Sequence, residues 1–312
     1  MPTHPLRPRF AWLEITGFCN LRCRHCYAGS SPQGTHGEMT DTDWLRVLGE
    51  LSDLGVRDVQ FIGGEPTLHP GLPAYIHRAR RHGMEVEVFS NMTHIGPPLW
   101  EALRRDGVRL AFSYYSADPA AHDEVTGAAG AHARTRANIR RARELGVPLR
   151  GSLIEEVRTV PEQRAGDGAR RDLLELGVRE IGTDRVRPYG RAAADGAGRA
   201  PECGGLCGRC GHGRLAVLPD GRVTPCVFSR WLAMGNARRQ SLQEICAGDA
   251  TLRAREELAA HFPPAAVHAT PVCLPDCAPA AGVKKRKKRT EDEEGTGGGT
   301  EPAPGLRRTA GR

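Results

Sequence analysis

Three cysteines near the start of the chain, Cys19, Cys23 and Cys26, stand in a C-x3-C-x2-C spacing with Asn20, Leu21, Arg22, Arg24 and His25 between them. Three thiolates in one short loop can cap three corners of a cubane iron–sulfur cluster, and the absence of a fourth cysteine nearby leaves one iron open to an outside ligand. A structural zinc ion would need a closed set of four, with His25 as the remaining ligand at strained spacing. A second group follows in the last third: Cys203, Cys207, Cys210 and Cys226, then Cys246, Cys273 and Cys277. Leu215–Leu218, the turn Pro219-Asp220-Gly221 and Arg222–Thr224 read as a strand–turn–strand hairpin. Such a hairpin brings Cys210 and Cys226, which flank it, back toward each other. Cys207, Cys210 and Cys226 are the favoured ligands, with Cys273 or Cys277 closing the site. Cys203 is a rival, Cys246 in a helix-like stretch is a buried bystander, and a zinc knuckle is the alternative for the whole set.

The elements that must position these thiols are legible as a repeat. Five times a helix-like run ends in glycine and passes at once into an apolar stretch: at Gly55, Gly83, Gly107, Gly146 and Gly177. Glycine suits the left-handed end of a helix, and the β-branched run after it suits a buried strand. With an opening strand over 10–15, this predicts six parallel strands joined by helices, because parallel neighbours need a crossover. Trp44, Val47, Leu48 and Leu51 share one helical face, with Thr40 as cap and Asp43 three residues on. The fold class is therefore α/β: a partial (β/α)6 TIM-like barrel over 1–195, a small cysteine-rich extension over 196–282, and a disordered charged tail over 283–312. A doubly wound open sheet is the alternative architecture. In either, chemistry belongs at the carboxyl ends of the strands.

Composition narrows the classes. The chain has 312 residues, 39% hydrophobic and 26% charged, enough to bury a sizeable core. No apolar run has the length of a membrane span, and Met1–Leu6 shows no basic stretch leading into an apolar one, so a cytoplasmic protein with reduced thiols is expected. The net charge of +7 is partly local, since residues 1–282 hold 35 basic and 32 acidic side chains and every lysine lies beyond them. Neither this balance nor an aromatic content of 5% suggests nucleic acid as a partner. The basic run 284–289, beside an acidic block, reads as a solvated tail rather than a targeting patch.

The Cys19/Cys23/Cys26 loop, with His25 before the last cysteine and Tyr27 after it, resembles the signature of the radical S-adenosylmethionine (SAM) superfamily. Gly63-Gly64-Glu65-Pro66, at the end of the second strand, is similar to that superfamily's GGEP motif. The resemblance covers roughly residues 10–190. It implies that Cys19, Cys23 and Cys26 hold a [4Fe–4S] cluster whose open iron is chelated by SAM, with Gly63, Gly64, Glu65 and Pro66 at the methionine end. Glu65 would accept from the ammonium, Ser90, Asn91 and Ser113 would lie near the nucleoside, and Arg185 and Arg187 near the carboxylate. For those last five, ordinary strand-end polarity is the alternative. Tyr114 and Tyr115 face the same mouth, where packing or a rim hydrogen bond competes with substrate contact.

The second cysteine set resembles the opening half of the SPASM and twitch extensions, which hold auxiliary iron–sulfur clusters. A full SPASM has a denser run of cysteines, so one auxiliary [4Fe–4S] cluster is expected here. The resemblance implies an anaerobic enzyme that cleaves SAM reductively and uses a 5′-deoxyadenosyl radical to abstract a substrate hydrogen, with flavodoxin or ferredoxin as electron donor. A ribosomally made peptide is the first choice of substrate. The chain begins just before its first strand, so a separate protein is the expected source of any peptide-recognition domain. The alternatives are a small-molecule enzyme similar to the GTP cyclase of molybdenum-cofactor synthesis, although this chain ends Ala310-Gly311-Arg312 rather than in that family's Gly-Gly, and a non-catalytic metal-binding or regulatory protein.

Overall fold

The computed structural model describes residues 4–155, 163–196 and 203–262. The repeat read from the sequence is built as β1 (Phe10–Glu14), α1 (Asp41–Asp53), β2 (Asp58–Ile62), α2 (Leu72–Arg81), β3 (Glu85–Ser90), α3 (Pro97–Leu103) and β4 (Val108–Tyr114). Two helices, α4 (Pro119–Thr126) and α5 (Ala131–Glu144), fill the longer interval before β5 (Leu149–Glu155), and α6 (Gln163–Glu175) leads to β6 (Glu180–Arg185). All five predicted glycine stops have positive φ, between 71° and 78°, where a Cβ would be strained. The start of α1 is a complete capping box: Asp43 N–H donates to Thr40 Oγ1 at 3.2 Å, and Thr40 N–H to Asp43 Oδ2 at 3.0 Å. Trp44, Val47, Leu48 and Leu51 are all buried against the sheet.

The sheet has nine strands, in the order β6-β5-β4-β3-β2-β1-β7-β8-β9. β1 to β6 are parallel, in register from Phe10↔Asp58 through Arg150↔Glu180. Beyond β1 the hairpin strands join the same sheet. β7 (Arg214–Val217) runs parallel to β1, β8 (Arg222–Thr224) returns antiparallel, and β9 (Gly235–Asn236) adds a short edge. The cysteine-rich extension thus continues the barrel sheet instead of forming a sheet of its own. α7 (Leu242–Ala247) and α8 (Asp249–His261) close it, and Cys246 is buried among apolar neighbours on α7. The expected tail, 283–312, lies outside the described residues, as do Cys273 and Cys277. Among the described residues no helix is long and apolar enough to cross a membrane.

Toward the amino ends of the strands the interior is ionic. Glu87 on β3 takes Arg150 at 2.8 Å and Arg109 at 2.8 Å, and Gln60 on β2 donates to it as well. Arg150 and Glu87 are both buried, and a buried charge is tolerated when it is paired and hydrogen-bonded in this way. The carboxyl ends are left to the site.

Candidate active site: a cysteine loop, a glycine pair and a second thiol cluster

The first cysteine loop springs from β1 and is tied down by backbone bonds: Cys19 N–H to Ser31 O at 3.1 Å, Arg22 N–H to Thr126 O at 3.0 Å and Arg24 N–H to Val125 O at 3.1 Å. Cys19, Cys23 and Cys26 line one cavity of about 150 Å³ that opens to solvent. Burial, followed by the Glu65 carboxylate, pushes the Cys19 thiol up to about 12; burial, followed by Cys26, does the same to Cys23. Buried thiols crowded together need a cation to hold them as thiolates, so this donor set fits an iron–sulfur cluster. Among the described residues no three His, Cys, Asp or Glu side chains close on a single metal ion.

Gly63 and Gly64 sit against this loop. Gly64 N–H donates to Thr16 O at 2.7 Å and Glu65 N–H to Phe18 O at 2.8 Å. A Cβ on Gly64 would lie 2.2 Å from Phe18 O and 3.0 Å from Cys19 Cβ, so any side chain there would drive the loop away. Pro66 opens a 3-10 turn, Pro66–Leu68. Glu65 is fully buried and its carboxylate is already occupied. Oε1 accepts from Thr67 N–H at 3.1 Å and Thr67 Oγ1 at 2.7 Å, Oε2 accepts from Asn91 N–H at 2.6 Å, and Ser90 adds a fourth bond. Burial pushes this carboxyl up and those bonds draw it back. Glu65 therefore pins the end of β3 to the end of β2.

Ser90 and Asn91 meet the loop from β3. Asn91 Nδ2 lies 3.8 Å from Cys19 Sγ and 2.9 Å from Asn20 Oδ1, while Asn20 Nδ2 donates to Thr93 Oγ1 at 2.9 Å. The next residue, Met92, has φ of 59°, the one non-glycine among the described residues in the left-handed region. Its N–H is held by Ser90 Oγ at 2.9 Å and its carbonyl by Asn138 Nδ2 at 2.8 Å, so the strain is fixed beside the site. Ser113 and Tyr115 follow on β4 and its exit. The Tyr115 hydroxyl bonds to Cys23 and Ser113, and burial pushes its phenol up. Tyr114, by contrast, points away from the cavity to His132 at 2.9 Å and to Asp172.

At the end of β6 the two predicted arginines divide. Arg185 is exposed at the cavity rim. Arg187 lines the cavity, but its guanidinium is held by Asp184 at 3.0 Å and Gly205 O at 2.9 Å and lies 5.5 Å from the Phe228 ring centre. It braces β6 against the cysteine-rich region. A third arginine, Arg191, was missed by the sequence reading. Its Nε donates to Cys23 O at 2.8 Å and its backbone N–H to Cys26 O at 3.0 Å. Nothing in the sequence marks Arg191, because the contact spans 168 residues.

The second set also assembles. Cys207, Cys210 and Cys226 line one small cavity with Trp12, Arg214 and Phe228. Cys210 bonds to both Cys207 and Cys226, and these bonds, then burial, push its thiol up. Burial acts the same way on Cys226, but the bond from Cys210 leads the effects that bring it below the usual thiol range. Phe228 N–H lies 3.3 Å from Cys226 Sγ and Cys226 N–H donates to Ser229 Oγ at 3.0 Å. Three clustered thiols fit an auxiliary cluster. Cys203 has no part in this bonding; burial and Glu257 push its thiol up.

Phe228 belongs to both cavities. Its ring meets Tyr27, the neighbour of Cys26, edge-on at 4.9 Å and stacks on Tyr189 at 5.9 Å. Beneath Tyr27, the buried Glu14 of β1 pairs with Arg230. One aromatic wall thus separates two thiol clusters.

A mostly parallel sheet carrying a three-cysteine loop and a glycine pair at its carboxyl ends, continued by a second thiol cluster, defines an iron–sulfur enzyme of the partial-barrel type. Residues 13–154 match the family profile of the radical SAM superfamily, and residues 207–278 match that of SPASM, an iron–sulfur cluster-binding domain. The chain belongs to the radical SAM superfamily and carries a SPASM domain. It is 28% identical to a PqqA peptide cyclase of Gluconobacter oxydans, over 78% of this chain and 77% of that protein. It is 31% identical to an AdoMet-dependent heme synthase of Methanosarcina barkeri, over 50% of this chain and 45% of that one, and spans less than half of several further curated relatives. Among solved structures, Streptococcus suis SuiB bound to S-adenosylmethionine superposes with a TM-score of 0.64 at 15% identity, covering 78% of this chain and 66% of SuiB. The enzyme anSMEcpe, with bound AdoMet and the Cp18Cys peptide, superposes at 0.60 and 16% identity, covering 79% and 82%. These two share its fold.

Proposed function

We propose that this enzyme modifies a peptide by radical chemistry in the cavity between its two cysteine sites. The observation that carries the reading is that one open cavity is lined at once by the Cys19/Cys23/Cys26 loop, the Gly63–Gly64 pair and Phe228, which also walls the second thiol cluster. The chemistry a [4Fe–4S] cluster and SAM supply when bound is reductive cleavage of the sulfonium and abstraction of a substrate hydrogen. The chain's own residues do the rest. Cys19, Cys23 and Cys26 would hold the first cluster, and Cys207, Cys210 and Cys226 would furnish ligands to an auxiliary one, with Cys273 or Cys277 completing it. Gly63 and Gly64 admit the methionine end of SAM by offering no side chain. Glu65 positions Asn91 and Ser90, which with Ser113 would face the nucleoside. Phe89, Ile154 and Phe228 supply apolar walls that exclude water from a reactive intermediate.

A peptide is favoured by the opening of the cavity to solvent and by relatives described as a PqqA peptide cyclase, SuiB bound to precursor peptide SuiA, and anSMEcpe with bound peptides. A reduced flavodoxin or ferredoxin would supply the electron, and a separate protein could present the peptide. The test is anaerobic reconstitution with iron and sulfide, then dithionite and SAM. Formation of 5′-deoxyadenosine is expected, with a mass change on a peptide encoded beside this gene. No 5′-deoxyadenosine would overturn the radical reading. 5′-Deoxyadenosine with every such peptide unaltered would move the substrate to a small molecule.

A further inference from the structure

The cavity holds one polar arm that the binding of SAM and cluster does not explain. Arg191 follows β6 and is locked against the first cysteine loop by its bonds to Cys23 O and Cys26 O. Gly190, just before it, has φ of 59°, and a Cβ there would lie 2.3 Å from Cys26 O, so the backbone is pressed on the loop as closely as it can be. With Nε spent on Cys23, Arg191 lines the cavity, and its Nη2 is buried without a hydrogen-bond partner. A buried donor left unpaired costs free energy that a bound acceptor recovers.

The charges around it indicate what that acceptor is. Asp184 is the one carboxylate among the described residues lining the cavity, and Arg187 already takes it. Arg185 and Arg191 have no carboxylate of their own among the described residues. SAM brings an ammonium and a sulfonium against a single carboxylate, so it adds net positive charge, which three thiolates on a cubane do little more than balance. Arg191 stands on the flank of Cys23 and Cys26, next to Gly190, which packs on Tyr27 O, whereas the glycine pair that would receive the methionine end packs on Cys19. Among the described residues the cavity therefore remains cationic beside Cys23 and Cys26.

We propose that Arg191 is a specificity-determining residue that receives a carboxylate side chain of the substrate, so that the peptide modified by this enzyme places an acidic residue beside the reacting position. This rests on the peptide reading above. The planar guanidinium suits a carboxylate better than an ammonium would.

The test uses the anaerobically reconstituted, SAM-bound full chain and equilibrium dialysis of four probes. These are the acetylated, amidated pentapeptide Ala-Ala-Glu-Ala-Ala, its Gln counterpart, N-acetylglutamate and N-acetylglutamine. Wild type is expected to hold the Glu peptide at least about tenfold more tightly than the Gln peptide. Arg191→Gln should bring that ratio below about twofold and Arg191→Lys should leave it between, while SAM affinity stays within about threefold throughout. Equal binding of the Glu and Gln peptides by wild type overturns the proposal. So does a large loss of SAM affinity in Arg191→Gln with the peptide ratio intact, which would assign Arg191 to SAM's own carboxylate. If N-acetylglutamate binds in an Arg191-dependent way and neither peptide binds, the carboxylate site stands and the peptide reading falls. Should Arg191→Gln fail to take up iron, the wild-type ratio and Arg191→Lys decide.

Discussion

The two thiol clusters are built by opposite means. The first is a continuous loop of eight residues fixed from outside: the backbones of Ser31, Val125 and Thr126 hold it, Asn91 touches Cys19, and Tyr115 bonds to Cys23. Burial holds the Cys19 and Cys23 thiols high. The second is discontinuous, with Cys207 and Cys210 on one side of the hairpin β7–β8 and Cys226 on the other, and its thiols bond to one another. The first site faces a large cavity and the second a small one behind Phe228. The difference teaches that the first loop is shaped to share its cluster with a ligand, whereas the second is shaped to enclose one.

The strongest way to break this contrast is to delete each site separately. Replacing Cys19, Cys23 and Cys26 together by Ala should reduce 5′-deoxyadenosine formation to background, because a SAM-cleaving site cannot be lent by the second cluster. Iron analysis of the same variant should still find the auxiliary cluster, since its ligands lie behind the aromatic wall. Retained SAM cleavage would refute the assignment. Cys226→Ala should act in reverse: iron drops by the content of one cluster, modified product disappears, and SAM cleavage without substrate stays within about tenfold of wild type, a loss of about 1.4 kcal/mol or less. Cys203→Ala, outside the bonded trio, should leave the iron content unchanged.

The same contrast explains what could be read in advance. A local spacing such as Cys19/Cys23/Cys26 carries its chemistry in eight residues, and a helix ending in Gly55 or Gly146 announces its strand because the left-handed conformation is a local demand. The trio of the second site was legible once the hairpin was, since the turn at Gly221 dictates which thiols meet. Sequence could not reveal that β7 pairs with β1: both are short apolar strands, and pairing across some 200 residues leaves no periodic trace. Arg191 and Phe228 were missed for the same reason, as their roles come from approach to Cys23 and Tyr27. Glu65 was legible as a motif, but its bonds to Thr67, Ser90 and Asn91 were not, because nothing in the chain shows that these residues meet at its oxygens.

Removing the wall between the sites should produce the next largest effect. Phe228 is 8% exposed and packs on Tyr27, Tyr189 and Arg187. Truncation to Ala should cost about 3–5 kcal/mol of stability in urea unfolding, in the range of buried Phe→Ala changes. Phe228→Leu, which keeps most of the apolar volume, should cost under about 1.5 kcal/mol. The readout specific to the wall is iron release. In Phe228→Ala a chelator should strip the auxiliary cluster nearly as fast as the first, whereas in wild type and Phe228→Leu the two should come out in separate phases. A single phase in wild type would show that the wall does not shield the second site.

Acid should separate the two sites by a smaller margin. His122 and His69 are buried on the barrel side, His122 in edge contact with Tyr115 at 5.2 Å and His69 with the loop histidine His36 at 4.6 Å. Burial, helped by the neighbouring histidine in each case, lowers both to about 4. Each is neutral in the folded chain over a range where the unfolded chain is protonated, so the unfolded state binds more protons and stability rises with pH there. The stabilisation is complete above about pH 6.5 and drains away as pH falls toward 4. Between pH 7 and pH 5 each histidine should account for about 2 kcal/mol, and His122→Gln should remove about half of the combined slope in denaturant unfolding of the metal-free protein. Because Tyr115 bonds to Cys23, protonation of His122 should loosen the first loop ahead of the second cluster. Iron release from wild type at pH 5 is then expected to begin with the SAM-binding site, and release that begins at Cys207, Cys210 and Cys226 would reverse the order of robustness argued from their construction.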